Sequence, residues 1–217
     1  LPDGVGEIME GAFYGCGALE SVTLGGVKDI GDSAFYGCSA LREVALPDGL
    51  TRLGEYAFFG CSSLTDIALP EGLTSLGRYT FADCHSLERA VLAEGLTSLG
   101  EGVFSGCGAL ESISVPDSVT EIGMYAFEGC SSLADAVLSD GLTQIADGVF
   151  SDCGALQSVT VGNGVTEIGF GAFYGCTSLA EIRFEGTQAQ WNGIEKDPDW
   201  ALDAGTYTVV CTDGEIA

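Results

Sequence analysis

The sequence predicts an α/β-type repeat solenoid, and three features of its 217 residues carry that prediction. Cysteines recur at 16, 38, 61, 84, 107, 130, 153 and 176, the first interval being 22 residues and the other six 23. Apolar residues hold fixed places after each cysteine, and a turn signal of the type Pro-x-Gly separates two short apolar runs. A period of this length marks a stacked array of supersecondary units.

Each unit opens after its cysteine with L-x-x-V-x-L. Leu stands at +3 in every unit, from Leu19 to Leu179, with Val, Ile or Ala at +6 and Leu, Val or Phe at +8. Alternation of this kind suits a short strand. "PDGL" or "PEGL" carries the turn chemistry in two of the units, where proline fixes φ and glycine allows a positive φ, and Gly49, Gly72, Gly95 and Gly141 recur in this turn as a backbone constraint. "LTSLG" is a second short extended piece. "EYAFFGC" closes the unit as a helical or 3₁₀ turn, too short to hold by itself. The 22-residue interval has lost one residue in its turn, where "LGGV" replaces "LPDGL".

One such unit cannot bury its own apolar side, whereas stacked units cover one another. Equivalent positions then form columns about 4.8 Å apart, and seven steps give a body roughly 35 Å long. The solenoid, of about eight coils, is expected over residues 1–184. Residues 185–217, where the period fails, are expected to form a C-terminal cap. There Trp191, Ile194, Trp200 and Leu202 should cover the last coil, and "TYTVV" should add a final strand. The opening "LPDGV" belongs to the middle of a repeat, so the sequence reads as a piece of a longer array with an uncapped edge at Leu1.

The consensus L-x-x-V-x-L-P-x-G-L-T-x-I-G-x-x-A-F-x-G-C, running in register from Leu19 to Cys176, resembles the BspA-like (Treponema pallidum-type) leucine-rich repeats. The tail segments "FEGTQAQWNGI" and "YTVVCTDGEI" resemble a common ending of those arrays. The resemblance implies a right-handed leucine-rich-repeat superhelix with parallel strands on one face. It also implies a bacterial cell-surface or secreted protein, some of whose relatives are adhesins.

The cysteine column has three possible meanings. Neighbouring Cα atoms about 4.8 Å apart fall within disulfide range, but side chains related by translation point the same way, and a bridge needs them to face each other. Zinc sites cluster as C-x₂₋₄-C with histidine nearby, unlike cysteines a full coil apart. Cys16, Cys38, Cys61, Cys84, Cys107, Cys130, Cys153 and Cys176 therefore read as a dry structural column of small hydrophobes, with oxidised neighbours as the alternative. Cys211 lies outside the period and reads as part of the cap.

Lysine and arginine total 7 against 32 acidic residues, a formal charge of −25. Such a chain repels phosphate backbones and anionic bilayers, so neither nucleic-acid binding nor membrane insertion is expected. No 18-residue apolar run is present. His85 is the sole histidine and leaves no partner for a triad or a histidine metal site. The carboxylates lie in turns and variable columns and read as solvated charge. No catalytic residue, metal site or cofactor is expected, a glycan-active or calcium-dependent module being the weak alternative.

If +6 and +8 point inward, +5 and +7 point out onto the sheet face. These columns are Ser21/Thr23, Glu43/Ala45, Asp66/Ala68, Arg89/Val91, Ser112/Ser114, Asp135/Val137, Ser158/Thr160 and Glu181/Arg183. They vary while the core columns do not, as on the binding faces of repeat proteins. A rival is an aromatic ridge of Tyr14, Tyr36 and Phe59, two residues before their cysteines, which can equally pack over the phenylalanine turn. Tyr56, Tyr79 and Tyr125 read the same way. The expected function is macromolecular recognition or adhesion, with an unidentified protein or glycan on a host or neighbouring cell as partner. The alternative is an architectural spacer presenting a neighbouring domain.

Overall fold

The computed structural model describes residues 4–216. The chain winds into stacked coils, each giving one longer and one shorter strand. The longer strands are Ser21–Thr23, Glu43–Ala45, Asp66–Ala68, Arg89–Val91, Ser112–Ser114, Asp135–Val137, Ser158–Val161, Glu181–Phe184 and Thr208–Cys211. Their pairing is parallel and in register with the repeat, as in Ile113↔Ala136 and Val159↔Ile182. The shorter strands, such as Arg52–Leu53 and Glu167–Ile168, form a second set of parallel ladders. Arg52–Leu53 and Glu167–Ile168 each contribute one buried residue and one that faces solvent.

Between the strand sets lies the core. The phenylalanines from Phe35 to Phe173 are fully buried and stack in one file, their ring centroids 5.0 to 5.7 Å apart. Leu41, Leu64, Leu87, Leu110, Leu133 and Leu156 are also fully buried. The segment around each phenylalanine makes turns bonded alternately within and between coils. Tyr36 N–H and Cys38 N–H reach back three residues to Ser33 and Phe35, while Phe35 and Gly37 donate to Ala57 and Phe59 of the next coil. The 3₁₀-type bonds therefore never run on into a helix. A left-handed residue interrupts them twice per coil, for example Tyr56 at φ 56° and Gly60 at φ 68°.

The turn glycines serve a different purpose from the one expected. Gly49, Gly72, Gly95 and Gly141 are not left-handed. A Cβ on Gly72 would sit 2.5 Å from the Leu50 carbonyl oxygen, and one on Gly141 would sit 3.0 Å from that of Asp117. At Gly72 and Gly141 close approach of successive coils, not φ, disfavours a side chain. A Cβ on Gly49 would meet nothing within 4 Å.

The tail prolongs the array before ending it. Glu195–Lys196 joins the short-strand ladder beside Glu167–Ile168, and Thr208–Cys211 pairs in parallel with Glu181–Phe184. This ninth coil is longer than the rest and accommodates the helix Gln188–Gly193, whose Thr187/Gln190 capping box fixes its start. Trp200 lies edge-on to Phe173 at 5.7 Å and 89°, ending the ring stack. Gly214–Ile216 then returns antiparallel to Thr208–Cys211, which blocks further parallel addition. Trp191 and Ile194 are buried, but Leu202 is 49% exposed, contrary to its expected place in the cap. Its carbonyl accepts from Gly175 just as that of Tyr36 accepts from Gly15, so it occupies the outward flank column of Tyr14, Tyr36 and Phe59. Leu1 lies outside the described residues. In the first described coil Phe13, Leu19 and Val22 are only half-buried, with no coil among the described residues on their outer side.

Candidate recognition surface

Seven of the eight columnar cysteines are buried and all nine cysteines are free thiols. Each of those seven thiols also donates a hydrogen bond, which a purely apolar reading leaves out. Cys61 Sγ donates to the Phe35 carbonyl at 3.3 Å, and Cys107 and Cys153 repeat the bond to Phe81 and Phe127 at 3.1 Å. Cys16 departs from the dry column: it is exposed, and among the described residues no phenylalanine carbonyl precedes it in the file. Burial pushes the thiols up, Cys38 to about 11 and Cys61 to about 12, and holds Cys84 and Cys107 well above their ordinary value. Such thiols are poor nucleophiles.

His85 is exposed, its Nδ1 2.9 Å from the Gly106 carbonyl oxygen. Among the described residues no three His, Cys, Asp or Glu side chains converge as a metal site, and no helix is long and apolar enough to cross a membrane. Cys211 is buried beside the closing hairpin.

The aromatic residues Tyr14, Tyr36 and Phe59 do form a ridge, with successive centroids 4.7 Å apart and interplanar angles of 7° and 10°. Face-to-face stacking consumes their π faces, leaving the outer face of Tyr14 and the ring edges for any ligand. Tyr79 and Tyr125 lie flat on the glycines of the next coil: a Cβ on Gly102 or Gly148 would fall 2.1 or 2.4 Å from their rings. These tyrosines are coil-to-coil packing.

On the sheet face the +5 and +7 columns point outward. Glu43, Ala45, Asp66, Ala68, Arg89, Ser112, Ser114 and Asp135 are exposed, as are Val91 and Val137 at 50% and 45%. Ser21, Thr23 and Arg183 are exposed too, while Ser158, Thr160 and Glu181 are half-covered. The two columns differ in kind. From Thr23 to Thr160 the +7 lane holds only Thr, Ala, Val and Ser, and every charge but Arg183 lies in the +5 lane. Arg89 Nε meets Asp66 at 3.3 Å, Ser158 donates to Asp135 at 2.5 Å, and Arg183 pairs with Glu181.

The structure brings only the first half of these residues into one concavity. A trough of about 530 Å³ runs over the strands from Ser21 to Val91, with Ala45 and Ala68 in its floor and Glu43, Asp66 and Arg89 along its charged lane. Ser112 through Arg183 continue the face without lining it. Arg42 and Thr65, just before their strands, also line it, and strand alternation does not reach them because it holds only inside the strands. Two arginines and two acids line this trough, so it is free of the negative excess carried by the rest of the chain.

A solenoid with leucine and phenylalanine columns inside and a variable lane on its parallel sheet is a leucine-rich-repeat protein. The chain belongs to the BspA-type leucine-rich-repeat family, whose repeat region matches residues 6–133 and 97–193 in 6 copies. The crystal structure of a T. pallidum leucine-rich-repeat protein is similar, with 32% identity, 86% of this chain and 84% of that chain covered, and a TM-score of 0.69. A leucine-rich-repeat protein from Bacteroides ovatus has 28% identity and a TM-score of 0.69 over 92% of this chain and 59% of that one. A leucine-rich cell surface protein from Faecalibacterium prausnitzii, at 24% identity, covers 89% of this chain and 80% of that one with a TM-score of 0.56, and shows the fold alone. No curated protein matches the sequence.

Proposed function

We propose that the chain is a non-catalytic recognition module of a bacterial cell-surface or secreted protein, and that its trough over Ser21–Val91 seats a protein or glycan partner from a host or neighbouring cell. The observation that carries this reading is the trough itself. A lane of small side chains lets a ligand approach the sheet closely, and the adjoining charged lane selects what approaches. Its balanced charge adds no local repulsion toward an acidic partner once it arrives. Membership of a family of bacterial leucine-rich-repeat proteins supports a binding role, since such repeats are typically scaffolds for recognition. The F. prausnitzii neighbour is described as a cell surface protein, and the same location is proposed here.

The test is retention on arrays of matrix proteins and glycans. Ala68→Trp fills the floor of the trough and Arg89→Glu inverts its charged lane, and each should abolish retention. Ser112→Trp, beyond the trough, should leave it intact. A ligand held equally by all three variants, or none held by the parent chain, would remove the trough from its role and leave the spacer reading.

A further inference from the structure

The C-terminal end of the solenoid holds a second cavity, remote from the trough. It measures about 380 Å³ and is walled by Trp191, Trp200 and Tyr207, with Asn192, Lys196 and Ile216 at its edge. Its size is at the small end of the ~300–1,000 Å³ range of small-molecule sites. The rings meet steeply, Trp191 with Trp200 at 67° and Trp200 with Tyr207 at 70°, with centroids 6.1 and 5.8 Å apart. Each edge-to-face contact covers a face of one ring only, so the three rings make the walls of a corner and not a closed stack like Tyr14–Tyr36–Phe59.

An aromatic enclosure of this kind suits a quaternary ammonium ion. Here the cation is already supplied. Lys196 Nζ lies 4.7 Å from the Trp191 ring centroid and donates to the carbonyls of Trp191 at 2.6 Å and Ile194 at 3.2 Å. A second cation would be repelled. An ammonium carries three N–H donors, so one is left after those two bonds. Burial lowers the Lys196 pKa, and an anion bound beside it would offset the lost hydration. Neither the Asn192 amide nor the Tyr207 hydroxyl is hydrogen-bonded to another described residue, so both can serve hydroxyl groups.

We propose that this pocket binds one sugar residue bearing a carboxylate. The apolar face of the ring lies on the aromatic wall, the carboxylate meets Lys196, and hydroxyls bond Asn192 and Tyr207. The two tryptophans of the chain both line the pocket, so intrinsic fluorescence reads it without a label.

The intact chain would be titrated with glucuronate, N-acetylneuraminate, glucose and choline at physiological ionic strength. At least one of the two acids should perturb the fluorescence saturably, and which one does distinguishes a hexuronic from a sialic source. Glucose should bind about tenfold more weakly, and choline should have no effect. Lys196→Gln keeps donors for the two carbonyls and should bring the acid down to the affinity of glucose. Tyr207→Phe, which keeps the wall and removes one hydroxyl, should weaken the acid several-fold at an unchanged melting temperature. Saturable quenching by choline, an equal response to acid and glucose in the parent chain, or no response to any sugar would overturn the proposal.

Discussion

The thiol of Cys107 donates to the main-chain carbonyl of Phe81, 26 positions back and one coil away, at 3.1 Å. The same oxygen accepts Cys84 N–H from its own coil. Each phenylalanine carbonyl from Phe13 to Phe150 is thus served twice, once within its coil by an amide and once across coils by a thiol. The cysteine is therefore both a filler and a cross-coil clasp, which explains why an apolar residue of similar size does not take its place.

Stability should collapse in mild alkali. The folded values of the buried thiols lie above their ordinary value of 9.0, so the unfolded chain releases protons that the folded chain keeps. Their contribution is complete below pH 9 and is lost as pH rises through the folded values, about 11 for Cys38 and about 12 for Cys61. Each such thiol costs about 1.4 kcal/mol per pH unit in that window. With seven of them, the loss within about one unit is comparable to the whole stability of ~5–15 kcal/mol. Circular dichroism should show cooperative unfolding near pH 10. Replacing Cys107 by Ala should make the pH dependence shallower, and a fold unchanged at pH 11.5 would refute this reasoning.

Ser118 is a flaw that one substitution repairs. It occupies the turn column held elsewhere by Gly49, Gly72, Gly95 and Gly141, and its hydroxyl is buried without a hydrogen-bond partner. Such a group costs about 1–3 kcal/mol, against ~0.5–1 kcal/mol for the added freedom of glycine. Ser118→Gly should raise stability by about 1 kcal/mol, measured by urea unfolding.

Gly148 offers the opposite case. Its φ is 62° and a Cβ would lie 2.4 Å from the Tyr125 ring. Gly11 shares the φ of 62° but meets nothing closer than 3.8 Å. Gly11→Ala should cost about 1 kcal/mol for backbone strain alone, and Gly148→Ala should cost more, roughly 2–3 kcal/mol. Adding Tyr125→Ala to Gly148→Ala should recover part of the difference.

The period and the composition of the columns were enough to give the stack, its strands and its dry interior. They could not show what one coil does to the next. Gly72 reads locally as a turn residue, because the Leu50 carbonyl that excludes its Cβ lies 22 positions away. The Phe81 carbonyl is equally invisible from Cys107. Cys16 and Leu202 match buried residue types, yet their exposure follows from their place in the stack. The variable lanes were legible by alternation, whereas the trough depends on how successive strands stack, which confines it to Ser21–Val91.

Counting reactive thiols is the sharpest check on whether the coils shelter one another. Of the 9 cysteines, only Cys16 should react promptly with Ellman's reagent at pH 8 in the native chain, with Cys211 slower near the closing hairpin. The remaining seven should stay silent until denaturant is added, then react together. Prompt reaction of four or more thiols in the folded chain would mean that the sulfur file is open to water and that the coils do not pack as described.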